Sequence, residues 1–126
     1  MSLIVHIAPR HDWEAARAAG EYRAGSLETQ GFIHCSMPEQ VTRVANAIYH
    51  GQTGLALLVI ETGKLAAPLK FEPPVHPASG GPETGSAELF PHLYGALNLD
   101  AVVRVVDFPP QPDGTFALPD AVYRAE

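Results

Sequence analysis

At 126 residues the chain suits one domain with one core, and 46% hydrophobic against 17% charged residues excludes a disordered polymer. With 8 basic and 14 acidic residues, a net charge of −6, an extended nucleic-acid surface is excluded, although a single basic pocket is not. One cysteine makes no internal disulfide, the Met1–His6 start lacks a signal-peptide pattern, and the longest apolar run, Leu55 to Ile60, is far below membrane-spanning length. Together these predict a soluble cytoplasmic protein without a membrane partner.

The first element is a strand over Leu3 to Ala8, ended by Pro9 and carrying His6. A helix opens at His11-Asp12-Trp13-Glu14, with Asp12 as N-cap, and runs through four alanines to Gly20 as C-cap. Trp13 and Ala16 share one of its faces. Residues 21–30 are polar and read as a loop. Gly31 to Cys35 reads as a second strand, in which Phe32, His34 and Ser36 share one face and Ile33 and Cys35 the other.

Ser36-Met37-Pro38-Glu39 fits a capping box, and Val41, Val44, Ala45 and Ile48 follow at helical spacing until His50-Gly51. Leu55 to Ile60 is continuously apolar, as in a strand buried on both faces. Leu65 to Glu72 contains Pro68, so a strand there is short or at an edge. Residues 73–86, rich in Pro, Gly and Ser, read as an exposed mobile loop. Ala101 to Phe108 is the last clear strand, and 109–126 reads as a turn and an extended tail outside a core of residues 3–108. The pattern predicts an α+β domain: a mixed, mostly antiparallel sheet with two helices.

The chemistry concentrates in two dense stretches, Gly31 to Ser36 and Phe90 to Gly95, which are expected to meet. His34, at a strand end among apolar residues, suits an acid or base. The alternative is a core histidine that ties loops together. Ser36 is either a ligand contact, a nucleophile assisted by His34, or simply the helix cap. No Gly-x-Ser-x-Gly elbow is present. His92 and Tyr94 place two polar rings in a rigid apolar segment, which suits a small-ligand pocket or ordinary aromatic packing.

Glu72 ends a strand-like stretch and is placed to orient a histidine or a ribose hydroxyl. Arg23 is a candidate phosphate contact. His6, taken alone, reads as a core residue. Zinc would accept His6, His34, His92 and Glu72, but no His-x-His, Cys-x-x-Cys or HExxH spacing supports a metal, and none is assigned. Cys35 reads as a small buried hydrophobe.

Taken in order, Gly31 to Ser36, the helix that follows, the Leu55 to Ile60 strand, Glu72, and Phe90 to Gly95 resemble the family called domain of unknown function 952. That family is grouped by fold with the ADP-ribosyltransferases and the tRNA 2′-phosphotransferases. The resemblance implies a split sheet with a cleft for NAD or an ADP-ribose-like ligand. It places His6 where an early strand supplies a ligand contact, and His34-Cys35-Ser36 where the phosphotransferases have His-x-Ser. Arg23 loosely matches an arginine before that strand. The chain departs from the group in lacking a late Glu-x-Glu or Gln-x-Glu pair and in having few arginines. Two readings follow. One is a transferase acting on NAD or a phosphorylated nucleotide, with His34, His92 and Glu72 catalytic and His6, Arg23, Ser36 and Tyr94 around the ligand. The other is a nucleotide- or protein-binding module that kept the cleft and lost the chemistry. Oligomeric state is not legible, and no cofactor is established beyond NAD as a substrate.

Overall fold

A continuously apolar strand can be buried on both faces only if something covers each face, and this requirement organises the fold. The structure, a computed structural model, describes residues 2–73 and 88–122. Its elements are β1 (Leu3–Pro9), α1 (Arg10–Ala19), β2 (Glu21–Tyr22), α2 (Gly25–Thr29), β3 (Ile33–His34), α3 (Pro38–Ile48), β4 (Leu55–Glu61), β5 (Leu69–Glu72), β6 (Phe90–Leu93), β7 (Leu97–Asn98) and β8 (Val102–Asp107). Short 3-10 turns lie at Thr62–Lys64, Leu99–Ala101 and Asp120–Val122.

β4 is the central strand of a sheet ordered β1-β4-β8, with both pairings antiparallel. Leu58 and Ile60 face one core cluster, with Trp13 and Ala16 of α1. Leu55, Leu57 and Val59 face another, with Val41 and Ala45 of α3. The two helices thus cover opposite faces of one sheet. Burying each large aliphatic side chain of β4 contributes about 1.5–3 kcal/mol.

A second sheet, ordered β3-β6-β5, is also antiparallel, and β2 pairs with β7. The two larger sheets are joined where β1 meets the residue after Cys35. Val5 N–H donates to the Ser36 carbonyl and Ser36 N–H to the Val5 carbonyl, each at 2.8 Å.

This pairing explains one departure from the sequence reading. The Ser36 backbone is occupied by β1, so the cap of α3 moves one residue on, to Met37. Gln40 Oε1, rather than a Glu39 side chain, accepts the Met37 N–H at 2.8 Å. The start of α1 also differs. Pro9, at φ −58° and ψ 137°, is its N-cap, and Asp12 lies within the first turn. Gly20 closes α1 at φ 93°, a left-handed conformation that glycine adopts without steric cost.

Residues 21–30 are not a plain loop. They supply β2 and the five-residue α2, so the described residues hold three α-helices rather than two. β5 is an edge strand beginning after Pro68, as the proline dictates. The expected tail is part of the core: Phe116 and Val122 are buried against Phe108 and Val106. Arg104 ties it down, donating to the Ala121 carbonyl at 2.8 Å. Most of the expected Pro/Gly/Ser-rich loop, and the last four residues of the tail, lie outside the described residues.

Gly95 is required by close approach. A Cβ built there would lie 2.7 Å from the Ala67 Cβ, and Tyr94 N–H immediately before it donates to the Pro68 carbonyl at 2.8 Å. Gly95→Ala is therefore expected to destabilise the domain by about 1–3 kcal/mol in urea unfolding, with partial recovery on adding Ala67→Gly. An unchanged midpoint in the single variant would show that the two segments do not pack this tightly.

Candidate functional site

Antiparallel pairing of β3 with β6 sets His34 directly opposite His92. Cross-strand partners share a face, and so do residues two apart, so Phe32 and Tyr94 join them there. Phe32 stacks on His92, with ring centroids 4.1 Å apart and planes 18° apart. It meets His34 edge-on at 4.7 Å and Tyr94 at 5.3 Å. The two histidine rings lie 5.5 Å apart in a T-shaped arrangement.

On the next strand Lys70 opposes His92 and Glu72 opposes Phe90, which makes Glu72 the diagonal neighbour of His92. Its carboxylate crosses that diagonal. Glu72 Oε1 accepts hydrogen bonds from His92 Nδ1 at 2.8 Å and from the Tyr94 hydroxyl at 2.6 Å. The Tyr94 bond first, and then the His92 bond, hold Glu72 below the usual carboxylate range. The same carboxylate raises Tyr94. Since ionised Glu72 can only accept, neutral His92 carries its proton on Nδ1 and a lone pair on Nε2. Lys70 Nζ lies 4.9 Å above the Tyr94 ring.

His34 Nε2 lies 3.0 Å from Gln30 Oε1, which makes Nε2 the donor and leaves Nδ1 with its lone pair. Partial burial, and secondarily His92, push His34 below its ordinary value. His6 alternates along β1 with Ile4 and Ala8 and is buried. Its Nδ1 donates to the His34 carbonyl at 2.5 Å, so its Nε2 accepts the Tyr22 hydroxyl proton at 2.9 Å. Burial lowers His6 from 6.5 to about 4 and raises Tyr22. Cys35 lies in the core, where burial pushes its thiol up to about 12, far from the range of a reactive thiolate.

Of these groups, His6, Tyr22, His34, Cys35 and His92 border a cleft of about 640 Å³ along the free edge of β1, and Glu72 and Tyr94 stand behind His92 outside its lining. Its polar lining includes Asp12, Tyr22, Ser26, Gln30, His34, Ser36 and His92. Val44, Ile48 and Tyr49 supply an apolar wall, and Ile48, which the sequence pattern assigns to a packed face, is 59% exposed. No lysine or arginine lines the cleft among the described residues.

The structure therefore brings His34, His92, Glu72 and Tyr94 together, sets Ser36 with His34 and His92 along the cleft, and ties His6 to the His34 carbonyl. Arg23 is not with them: it is exposed, and its Nε donates to Glu21 Oε2 at 2.7 Å. Ser36 Oγ makes no hydrogen bond to either histidine, so no Ser–His nucleophile pair is assembled. The four-ligand metal alternative does not assemble either. His6 has both ring nitrogens engaged, and no group of three His, Cys, Asp or Glu side chains is placed to hold a metal among the described residues. Tyr22, Ser26 and Gln30 are cleft residues that the sequence reading missed. A lone aromatic within the polar 21–30 stretch was the signal for Tyr22; the two others carry none.

The geometry defines an α+β protein whose histidine-lined cleft opens where two antiparallel sheets part. The sequence model of the family described as protein of unknown function (DUF952) matches residues 7–105, and the chain belongs to that family. Among solved structures it is similar to protein CC0527 from Caulobacter crescentus. A crystal structure of that protein is 34% identical, with a TM-score of 0.80, and covers 96% of this chain and 98% of that one. A double mutant of CC0527 gives 33% identity and a TM-score of 0.79, again over 96% and 98% of the two chains. Its solution NMR structure gives 35% and 0.74 over 96% and 97%. No curated protein matches the chain significantly. No helix among the described residues is long and apolar enough to cross a membrane.

The depressed His6 value makes stability pH-dependent. Below pH 6.5 the unfolded chain takes up this proton while the folded chain does not, so unfolded molecules bind more protons and stability falls as pH falls toward about 4. The full loss from His6 is roughly 3 kcal/mol. His6→Gln supplies an amide donor and acceptor that does not titrate. Its thermal midpoint is expected to drop less than that of the parent between pH 7 and pH 4.5. Equal drops would remove His6 as the source.

Proposed function

We propose that the cleft is a small-ligand site with acid–base chemistry, in which His92 accepts a proton at Nε2 and His34 is the second proton-transfer group. The observation that carries this reading is the Glu72–His92 hydrogen bond at 2.8 Å, beside a second histidine directly across the strand pair. A carboxylate that fixes Nδ1–H orients the ring and stabilises the imidazolium formed when Nε2 takes a proton. Glu72 and Tyr94 are positioning residues in this scheme. Ser36 contributes a hydroxyl to the ligand.

The resemblance to the ADP-ribosyltransferase and tRNA 2′-phosphotransferase group makes NAD and ADP-ribose the first compounds to test. The two-sheet architecture and the His34-x-Ser36 order at the cleft support that choice. Against the phosphotransferase branch stands a lining without lysine or arginine among the described residues, with Arg23 turned to Glu21. A ligand approaching through its ribose, rather than through its phosphates, fits the residues present. A binding module without turnover is the second reading. The absent late Glu-x-Glu pair and the engagement of His34 by Gln30 favour it.

Amide-shift titration of the labelled chain with NAD, ADP-ribose and nicotinamide, followed by a nicotinamide-release assay, separates the readings. Turnover is expected to fall at least 100-fold in His92→Gln and clearly in Glu72→Gln, with thermal midpoints close to the parent. Saturable shifts at Ser36, His34 and His92 without product from the parent would support the binding module. Shifts confined to residues outside the cleft would sink both.

A further inference from the structure

Hydrogen-bond direction in the cleft specifies its ligand more narrowly than its shape does. Four lining groups have already committed their proton to the protein. The Tyr22 hydroxyl donates to His6 Nε2 at 2.9 Å, because His6 must give its Nδ1 proton to a carbonyl that can only accept. Ser26 Oγ donates to the Phe32 carbonyl at 2.8 Å. His34 donates through Nε2 to Gln30, and His92 through Nδ1 to Glu72. Toward anything bound, each of the four has only lone pairs to offer when the two imidazoles are in their neutral forms. The lining's remaining side-chain donors are the Gln30 amide and the Ser36 and Tyr49 hydroxyls, and Asp12 adds a carboxylate.

A phosphate is all acceptor and carries charge. Among the described residues it would meet four lone-pair groups and no lysine or arginine. A vicinal diol is the opposite case: each hydroxyl donates once and accepts as well. The apolar wall of Val44, Ile48 and Tyr49 suits a flat or aliphatic group beside it, and about 640 Å³ lies within the range of small-ligand pockets. Resting on the small-ligand reading above, we infer that the cleft takes an uncharged ligand with hydroxyl donors, of the nucleoside type and without phosphate. Tyr22, held as an acceptor by His6, is the residue that sets the preference.

The test is an amide-shift titration of the whole chain with adenosine, 2′,3′-dideoxyadenosine and 5′-AMP. Adenosine is expected to bind at the cleft. Dideoxyadenosine is expected to bind at least tenfold more weakly, because the acceptors lose their donors, and AMP no more tightly than adenosine. In Tyr22→Phe the adenosine-to-dideoxyadenosine ratio shrinks at least threefold. AMP binding tenfold tighter than adenosine, or equal binding of the two nucleosides, overturns the inference and leaves the acid–base site standing. The wild-type comparison decides this even if Tyr22→Phe does not fold. Absence of cleft shifts with all three probes overturns this inference, and the same absence with NAD, ADP-ribose and nicotinamide overturns the site reading too.

Discussion

Two backbone hydrogen bonds between Val5 and Ser36 hold this architecture in register. β1 is the free edge of one sheet, and Ser36, two residues past the end of β3, leads out of the other. The reciprocal 2.8 Å bonds close that edge at one point and leave it open on either side. An exposed strand edge presents unpaired donors and acceptors. Here part of the edge becomes the floor of a cleft. The same pairing decides where α3 starts, because a serine whose backbone is spent on a neighbouring strand is not the first cap of a helix.

His6 reinforces the seam from the side-chain direction. Its ring spans from the β2 tyrosine to the β3 carbonyl, so three strands that belong to three different pairings are fixed by one imidazole. A buried polar ring of this kind is costly unless every nitrogen is satisfied, and both nitrogens are. The position of His34 follows from this. Its backbone is held by His6, its ring by Gln30, Phe32 and the opposing His92. The site is therefore positioned both by its own rings and by the His6 bridge behind it.

The strands were legible in the sequence wherever burial is decided locally. β4 announces itself because six consecutive apolar residues have no polar face to show water, and Pro68 marks an edge because it lacks a ladder donor. The α+β class and the family resemblance follow from that order of elements. What stayed illegible was set by contacts distant in sequence. Ser36-x-x-Glu39 is a valid capping pattern, and only the pairing with Val5, 31 positions away, displaces it. α2 has five residues and no apolar face, too little periodicity to register. Within the candidate site, the meeting of His34 and His92 could be expected from the two dense stretches, and a hydrogen bond from a histidine to Glu72 from its strand end. The separation of Arg23 from them could not, because its partner Glu21 lies in the same polar stretch.

Gln40 carries a consequence for how the protein can vary. Its Nε2 donates to the Glu88 carboxylate at 3.0 Å and to the Leu89 carbonyl at 2.9 Å, and Arg43 on the next turn also pairs with Glu88. At the other end of the intervening stretch, Glu72 is pinned by Tyr94 and His92. The two flanks of that stretch are thus anchored to different elements, Glu72 to His92 of β6 and the adjoining Tyr94, Glu88 and Leu89 to α3. Insertions, deletions or grafted sequence between these flanks need not be transmitted to the histidines.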